Sequence, residues 1–215
     1  MIKAVLFDLD GVLVDSEPFS MEASSRVLAE FNIVRTPEEE KMIFGRRTID
    51  NYRTLVESRD LKVTPEDLVK KKVGIFKKLI KGKLKPLPGV LDLISKVKTR
   101  GFKTAVVSSS PLERVNASLE EVGLILEFDL ILSGDCCRRG KPDPEPFLLA
   151  AERLGVKPEE CVVVEDAEAG IMAGKAAGMK VVAVRSPNTF GQDLSRGDVI
   201  VNSMEKVNVG LLGGL

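Results

Sequence analysis

The feature that most constrains the fold is a regular alternation of short apolar runs and amphipathic segments after residue 102. Runs rich in Val, Ile and Ala predict strands at 103–108, 128–132, 161–165 and 180–184, and an edge strand at 198–201. Helical spacing of apolar residues predicts helices at 112–122, 144–154 and 169–177. Strands that alternate with helices build a parallel sheet wrapped by helices. The sequence therefore predicts an α/β fold with a Rossmann-like parallel sheet.

The apolar run at residues 4–7 predicts one more buried strand, which ends in a pair of acidic side chains. Asp8 and Asp10 flank Leu9, and Gly11 then lets the chain turn sharply. In an extended backbone, side chains two residues apart point to the same side, so we expect both carboxylates to face one region. Unpaired carboxylates repel each other, and a divalent cation would remove that repulsion. Oxygen ligands that leave room for a phosphate favour Mg²⁺.

The segment that follows this first strand reads as purely helical. Thr36-Pro37 and Thr64-Pro65 are typical helix starts, in which a capping threonine is followed by a proline and then by acidic residues. A short basic loop, Gly45-Arg46-Arg47, separates two of the predicted helices. The Pro- and Gly-rich link at 85–90 returns the chain to the alternating region. We therefore expect a small all-helical domain inserted after the first strand.

The chain leaves the alternating region near residues 14–16 and returns to it at 85–90. These two crossings give the predicted domain boundaries. The core domain comprises residues 1–15 and 84–215, and the helical domain comprises residues 16–83. Two crossings close together in space would form a hinge. At the other end of the chain, the glycine-rich residues 210–215 are expected to be frayed.

The amino-acid composition excludes several kinds of catalytic site, metal site and partner. The chain has no His, which excludes Ser-His-Asp and Cys-His catalysis and His-ligated zinc. Basic and acidic residues number 32 each, so no basic surplus indicates nucleic-acid binding. No apolar run approaches the roughly 20 residues of a membrane helix, and the start is not that of a signal peptide, so we expect a cytoplasmic protein. Three Cys argue against a disulfide framework: Cys136 and Cys137 are interpreted as incidental and Cys161 as core.

Further polar groups fall at the ends of the predicted strands, where one pocket would collect them. Ser108 ends its strand and leads through Ser109 into a helix, whose first amides suit a phosphate. Lys141 lies in a loop stiffened by prolines, and Glu165-Asp166 follows another strand. Taken singly, each group has an ordinary alternative, as a helix cap, a turn residue or a solvated charge.

The motifs together resemble those of a known family. The segment Asp8-Leu-Asp-Gly-Val-Leu-Val-Asp-Ser-Glu17 closely resembles the first motif of the haloacid dehalogenase-like phosphotransferases. It is most similar to the branch of beta-phosphoglucomutase, phosphoglycolate phosphatase and small sugar phosphatases. Residues 140–144 resemble the family's lysine motif, and residues 164–171 resemble its metal motif, except that Ala167 stands where Ser is frequent. The four motifs occur in family order across essentially the whole chain.

The resemblance implies a role for each candidate residue. Asp8 would be the nucleophile that becomes an aspartyl phosphate, and Asp10 the general acid and base. Ser108 and Lys141 would hold and neutralise the phosphate. The implied metal ligands of Mg²⁺ are Asp8, Asp10 through its backbone carbonyl, Asp166, and Glu165 directly or through water. The helical domain corresponds to the family's cap, and the candidate substrate-binding residues are Ser109, Gly45, Arg46 and Arg47.

The leading hypothesis is a Mg²⁺-dependent phosphatase that hydrolyses a small phosphorylated metabolite, such as a sugar phosphate or phosphoglycolate. The alternative is beta-phosphoglucomutase, but that mutase carries a cap-side His shortly after its first motif, and Ser16-Glu-Pro-Phe-Ser20 contains none. A non-enzymatic phospho-receiver domain fits the helical insertion poorly. Dehalogenation needs no metal, whereas Asp10 and Asp166 indicate one. We expect no nucleic-acid or membrane partner, and a monomer or weak homodimer.

Overall fold

Six short strands form a single parallel sheet in the computed structural model, which describes residues 1–186 and 191–215. The strands are β1 (Ala4–Phe7), β2 (Lys103–Val107), β3 (Leu130–Leu132), β4 (Cys161–Glu165), β5 (Lys180–Val184) and β6 (Val199–Val201). Their order across the sheet is β3-β2-β1-β4-β5-β6, which places β1 and β4 at the centre. The predicted α/β class is confirmed, although β3 and β6 are shorter than the sequence pattern suggested.

The described residues form nine α-helices. They are α1 (Glu17–Ala29), α2 (Pro37–Ile43), α3 (Thr48–Ser58), α4 (Pro65–Ile80), α5 (Val90–Thr99), α6 (Leu112–Glu121), α7 (Glu145–Leu154), α8 (Glu168–Ala176) and α9 (Val209–Gly213). The two threonine starts are real caps: the Thr36 and Thr64 hydroxyls accept hydrogen bonds from the amides of Glu39 and Asp67. The expectation of a frayed carboxyl terminus was wrong, because α9 buries Leu212 completely.

The register of the central strands brings their carboxyl ends to one level. Phe7 at the end of β1 lies beside Val106 of β2 and Val164 of β4. Successive side chains of β1 enter two apolar clusters on opposite faces of the sheet, Val5 and Phe7 in one, Ala4 and Leu6 in the other. Asp8, Ser108 and Glu165 therefore emerge at the same edge.

Helices α1 to α4 follow β1, and of these α1, α3 and α4 pack together. They enclose a small apolar cluster formed by Val27, Leu28, Tyr52, Leu55 and Leu68. The last turns of α4 also join the main core through Phe76 and Ile80. The two chain crossings meet, since Val14 bridges Pro86 and the Leu87 amide donates to the Leu13 carbonyl at 3.0 Å.

Over residues 1–186 and 191–215, no helix combines the length and the apolar character needed to traverse a bilayer.

Candidate active site

A buried cluster of three carboxylates and one lysine lies at the carboxyl edge of the central strands. Ligand oxygens of Asp8, Glu165 and Asp166 all lie within 4.8 Å of one another. The Lys141 ammonium donates to Asp8 Oδ1 at 2.6 Å, to Glu165 Oε1 at 2.6 Å and to the Val107 carbonyl at 2.8 Å. Residues separated by more than a hundred positions thus share one hydrogen-bond network.

The cluster carries an excess of negative charge. Three carboxylates against one ammonium leave two negative charges in a buried site. Burial raises the pKa of Asp8 to about 7, because Lys141 offsets only part of the desolvation and Glu165 and Asp10 add repulsion. Burial, with the charges of Glu165 and Asp8, also raises the pKa of Asp166 well above its usual range. Burial alone would lower the pKa of Lys141, but Asp8 and Glu165 reverse that effect, so the ammonium stays charged.

The donor set fits a hard divalent cation. Carboxylate oxygens are the ligands that Mg²⁺ prefers, and two positive charges would balance the excess described above. Asp8 and Asp166 each have an oxygen that Lys141 does not contact. Glu165 differs, because Lys141 occupies Oε1 while the amides of Asp166 and Ala167 donate to Oε2, each at 3.0 Å.

Gly11 gives the chain the space to pass this cluster. Its φ of +76° lies in the left-handed region, which side chains other than glycine rarely adopt. A Cβ at this position would lie 2.0 Å from Asp166 Oδ2. The glycine after the acidic pair therefore permits both the turn and the approach of a carboxylate from β4.

Asp8 and Asp10 line the same cavity, as expected, but the Asp10 carboxylate does not join the cluster of three acids. It forms a two-pronged ion pair with Arg114, at 2.8 Å and 3.1 Å, and accepts hydrogen bonds from the hydroxyls of Ser16 and Ser110. The backbone leaves the extended conformation after Phe7, so the two-residue rule for strands does not extend to Asp10. The Asp10 side chain lines the same cavity as Asp8, Glu165 and Asp166.

The serines after β2 lie at the same edge. Ser108 is buried, and its hydroxyl accepts a hydrogen bond from the Ser110 amide at 3.1 Å. The Ser109 hydroxyl donates to the Gly45 carbonyl at 2.8 Å, which ties the core to the helical segment. The first amide of α6, that of Leu112, donates to Asp135 at 2.7 Å and is not free for a phosphate.

The three residues of the basic loop between α2 and α3 make different contacts. Gly45 has a φ of +73°, and a Cβ there would lie 2.6 Å from the Cβ of Ala167. Arg46 lines the cavity. Arg47, predicted to bind substrate, points elsewhere: it pairs with Asp50 at 2.6 Å and donates to the Cys137 carbonyl at 2.6 Å. Because these partners satisfy its guanidinium, Arg47 joins the loop to the core and does not enter the cavity.

A cavity enclosing about 80 Å³ lies between the acidic edge of the sheet and the helical segment. Its helical wall is mostly polar, with these ionisable side chains: Glu17, Arg35, Glu40, Arg46 and Lys72. Arg35 lies 3.8 Å from Glu40 and donates to the Ser24 hydroxyl at 3.2 Å.

Sequence reasoning did not identify Glu17, Lys72 or Arg114 as site residues, because charges on amphipathic helices are usually solvated. Burial raises the pKa of Glu17 to about 7, although Arg114 opposes that shift. Burial and the charge of Arg114 lower the pKa of Lys72 to about 8, although Glu17 opposes that shift. Arg114 carried one usable signal: it is a cation in the first turn of a helix, where the dipole disfavours positive charge.

Several known proteins are similar to this chain in sequence and fold. The haloacid dehalogenase-like hydrolase family matches residues 5–184. The phosphorylated carbohydrates phosphatase of Thermotoga maritima is 34% identical over 208 residues, 96% of each protein. Beta-phosphoglucomutase of Bacillus subtilis is 31% identical over 98% of this chain and 94% of its own length. The crystal structure of a CbbY mutant from Rhodobacter sphaeroides with xylulose-(1,5)bisphosphate superposes with a TM-score of 0.90 at 25% identity, over 99% of both chains.

The raised pKa values predict how a bound Mg²⁺ would change the stability of the fold. Asp8 and Asp166 hold protons more tightly in the folded chain than in the unfolded chain, so without metal the free energy of unfolding falls as pH rises from about 4 to about 7. A bound cation would stabilise the ionised carboxylates and remove that loss. We expect Mg²⁺ to raise Tm by at least roughly 3 °C at pH 8, and much less at pH 5. Thermal unfolding with Mg²⁺ or EDTA at both pH values measures this.

Asp166→Asn is the matched control for this prediction, because it removes one buried charge and keeps the side-chain shape. Without metal, the variant should be more stable than the wild type at pH 8 and should gain little from Mg²⁺. An equal Mg²⁺ effect at the two pH values would contradict the assignment of the cluster as a cation site.

Proposed function

The chain belongs to the haloacid dehalogenase-like hydrolase family, and from that membership we propose that it is a Mg²⁺-dependent phosphatase of small phosphorylated carbohydrates. The observation that carries the proposal is the placement of Asp8 against Lys141 in a buried cluster with two further carboxylates. The Thermotoga maritima relative is named a phosphorylated carbohydrates phosphatase, which supports the same reaction.

The first chemical step is an attack by one anion on another. A carboxylate and a phosphate oxygen repel each other by about 4 kcal/mol per charge pair at about 4 Å and an effective dielectric of 20. Lys141 offsets part of that repulsion, because its charge is held against Asp8 at 2.6 Å. Asp8 then attacks phosphorus, the bond to the leaving oxygen breaks, and Asp10 supplies a proton to that oxygen.

The second step returns the enzyme to its resting state. Asp10, now a carboxylate, takes a proton from water, and the oxygen of that water attacks the phosphorus of the aspartyl phosphate. The bond between phosphorus and Asp8 breaks, and inorganic phosphate leaves. Ser108, at the same edge of the sheet, would hold an equatorial oxygen through both steps, whereas Lys141, whose three donors are engaged, would act through its charge.

The residues that would hold Mg²⁺ are Asp8, Asp166 and the backbone carbonyl of Asp10. When bound, the ion supplies positive charge that neutralises the phosphate and the carboxylates around it. Glu165 has both oxygens engaged by Lys141 and two amides, so we assign it to positioning Lys141 and to contact with the ion through water.

We propose that residues 16–83 form a cap domain over a core of residues 1–15 and 84–215. The apolar cluster of the helical segment and the paired crossings at Val14 and Pro86 support this division. The cavity between the two parts would exclude bulk water during the reaction. A cytoplasmic location and a monomeric or weakly dimeric state stay predictions.

The polar cap wall favours a polyhydroxylated leaving group. Glu17 has a pKa of about 7, so near neutral pH its carboxyl group can donate or accept a hydrogen bond, whereas Lys72, with a pKa of about 8, donates as an ammonium. Glu17 and Glu40 offset two of the three cations of this wall, Arg35, Arg46 and Lys72, so the wall is not a strongly cationic surface. The hydroxyls of a sugar or sugar alcohol match such a surface.

The second candidate is a phosphosugar mutase, favoured by the 31% identity to the beta-phosphoglucomutase of Bacillus subtilis. A mutase must keep water away from its aspartyl phosphate. Ser20 lines the cavity in the region where that mutase would carry a His, so this chain lacks that group. Phosphate transfer to water is therefore the better supported outcome.

Asp8→Asn tests the nucleophile. The amide is isosteric but cannot form the acyl phosphate, so we expect kcat to fall by at least about a thousandfold. Phosphate release from glucose 6-phosphate with Mg²⁺ measures the loss, and acid-quenched labelling should detect a phosphoenzyme only in the wild type. Phosphatase activity retained in Asp8→Asn would reject the assignment.

Beta-glucose 1-phosphate separates hydrolase from mutase. We expect free phosphate to accumulate in step with substrate loss, because the cavity presents no His that would keep water off the intermediate. A coupled assay for glucose 6-phosphate, run beside a phosphate assay, measures both products. Predominant formation of glucose 6-phosphate would establish the mutase.

Lys72→Met tests the polar cap wall. Removing the ammonium deletes a hydrogen bond to a substrate hydroxyl, so we expect KM for glucose 6-phosphate to rise about tenfold with a smaller change in kcat. Lys71→Met is the matched control, since Lys71 is exposed on the same helix and pairs with Glu30, and its kinetics should stay within about twofold of the wild type. Equal effects of the two variants would remove Lys72 from the binding site.

A further inference from the structure

The side chain of Arg114 is buried against the Asp10 carboxylate. Arg114 lies in the first turn of α6 and is only 4% exposed. Its two terminal nitrogens donate to the two oxygens of Asp10, one at 2.8 Å and the other at 3.1 Å. A two-pronged contact of this kind fixes the plane of the carboxylate as well as its distance.

The location of Arg114 is unfavourable for stability alone. A cation in the first turn of a helix is opposed by the helix dipole, and a buried ion pair gains little after desolvation. The Arg114 Nε has no hydrogen-bond partner in the described part of the chain, which adds a further cost. A feature that stabilises so little and contacts a candidate catalytic group indicates a functional constraint.

Further contacts connect the Asp10–Arg114 pair to both the core and the helical segment. The hydroxyls of Ser110 and Ser16 donate to opposite oxygens of Asp10, and Arg114 contacts both hydroxyls. The Phe76 ring of α4 covers the guanidinium, with the Arg114 Cζ at 4.4 Å from the ring centroid. Arg114 is therefore held between the proton-transfer carboxylate and a helix of the proposed cap.

We propose that Arg114 is a positioning residue that holds the Asp10 carboxyl group at the cavity for proton transfer, with one contact to an Asp10 oxygen giving way when that oxygen carries the proton, and with Phe76 of the cap holding the guanidinium in place. The assignment rests on the proposed function, in which Asp10 gives a proton to the leaving oxygen and later takes one from water. It goes beyond that function because it makes the alignment of Asp10 depend on a cap residue.

Arg114 does not act as a phosphate ligand in this arrangement. Asp10, Ser110 and Ser16 already engage its two terminal nitrogens. The guanidinium therefore acts through Asp10, and its loss should affect proton transfer more than substrate binding.

Two substrates separate positioning from a general structural role. The leaving oxygen of glucose 6-phosphate needs a proton, whereas 4-nitrophenolate departs from 4-nitrophenyl phosphate without one. In Arg114→Met with Mg²⁺, we expect the rate of enzyme phosphorylation by glucose 6-phosphate to fall about 100-fold, and that by 4-nitrophenyl phosphate to fall less than about threefold. Hydrolysis of the aspartyl phosphate should also slow, giving a burst of one nitrophenolate per enzyme in stopped-flow traces.

A double-mutant cycle with Asp10→Asn tests whether Arg114 acts through Asp10. Once Asp10 cannot transfer a proton, Arg114→Met should change the phosphorylation rate by less than about threefold. Arg114→Lys keeps the charge but not the two-pronged contact. Its phosphorylation rate should therefore fall less, but still more with glucose 6-phosphate than with 4-nitrophenyl phosphate. This variant replaces Arg114→Met in the test if Arg114→Met does not fold. Phe76→Leu should likewise lower the rate more with glucose 6-phosphate than with 4-nitrophenyl phosphate. Arg26→Met, an exposed arginine of α1, should match the wild type.

The outcomes are distinct. Equal losses with the two substrates in Arg114→Met or Arg114→Lys, or a full effect of Arg114→Met in the Asp10→Asn background, would overturn the positioning role while leaving the phosphatase intact. Wild-type protein that hydrolyses neither substrate with Mg²⁺ would overturn the proposed function and the role of Arg114 with it.

Discussion

The structure depends on negative charge that is gathered at the ends of the central strands and only partly balanced by Lys141. Asp8, Glu165 and Asp166 meet there because β1 and β4 are neighbours in register. The ammonium binds two of these carboxylates and a strand carbonyl, which uses all of its donors. Burial, together with the neighbouring charges, raises the pKa values of Asp8 and Asp166, and the unbalanced carboxylates make the site suited to a divalent cation.

The helical segment touches this edge through a few specific contacts. Gly45 lies against Ala167 so closely that a side chain would not fit, and its carbonyl accepts a hydrogen bond from Ser109. Arg47 reaches across to the Cys137 carbonyl. Phe76 covers Arg114. These contacts close a polar cavity above the acids, which is where a substrate would have to be held during phosphate transfer.

Arg47 and Arg114 show why charged helix residues are hard to assign from sequence. A basic loop flanked by glycine suggested a substrate contact for Arg47, but its guanidinium is satisfied by Asp50 and a backbone carbonyl. Arg114 was not identified from the sequence, yet it is buried against Asp10. Which face of a helix is buried near a strand end depends on packing, and sequence periodicity reports only that one face is apolar.

The sequence by itself determined the parallel sheet, the helical insertion and the acidic groups at the strand ends. Apolar runs, threonine caps and the Asp8-Leu9-Asp10-Gly11 turn are local signals, and parallel strands necessarily bring their ends to one edge. Only the tertiary structure decided that Asp10 pairs with Arg114 instead of joining Asp8, and that Glu17 and Lys72 line the cavity. Those outcomes depend on how α4 packs against α1 and α6, and contacts between distant segments leave no periodic trace in the chain.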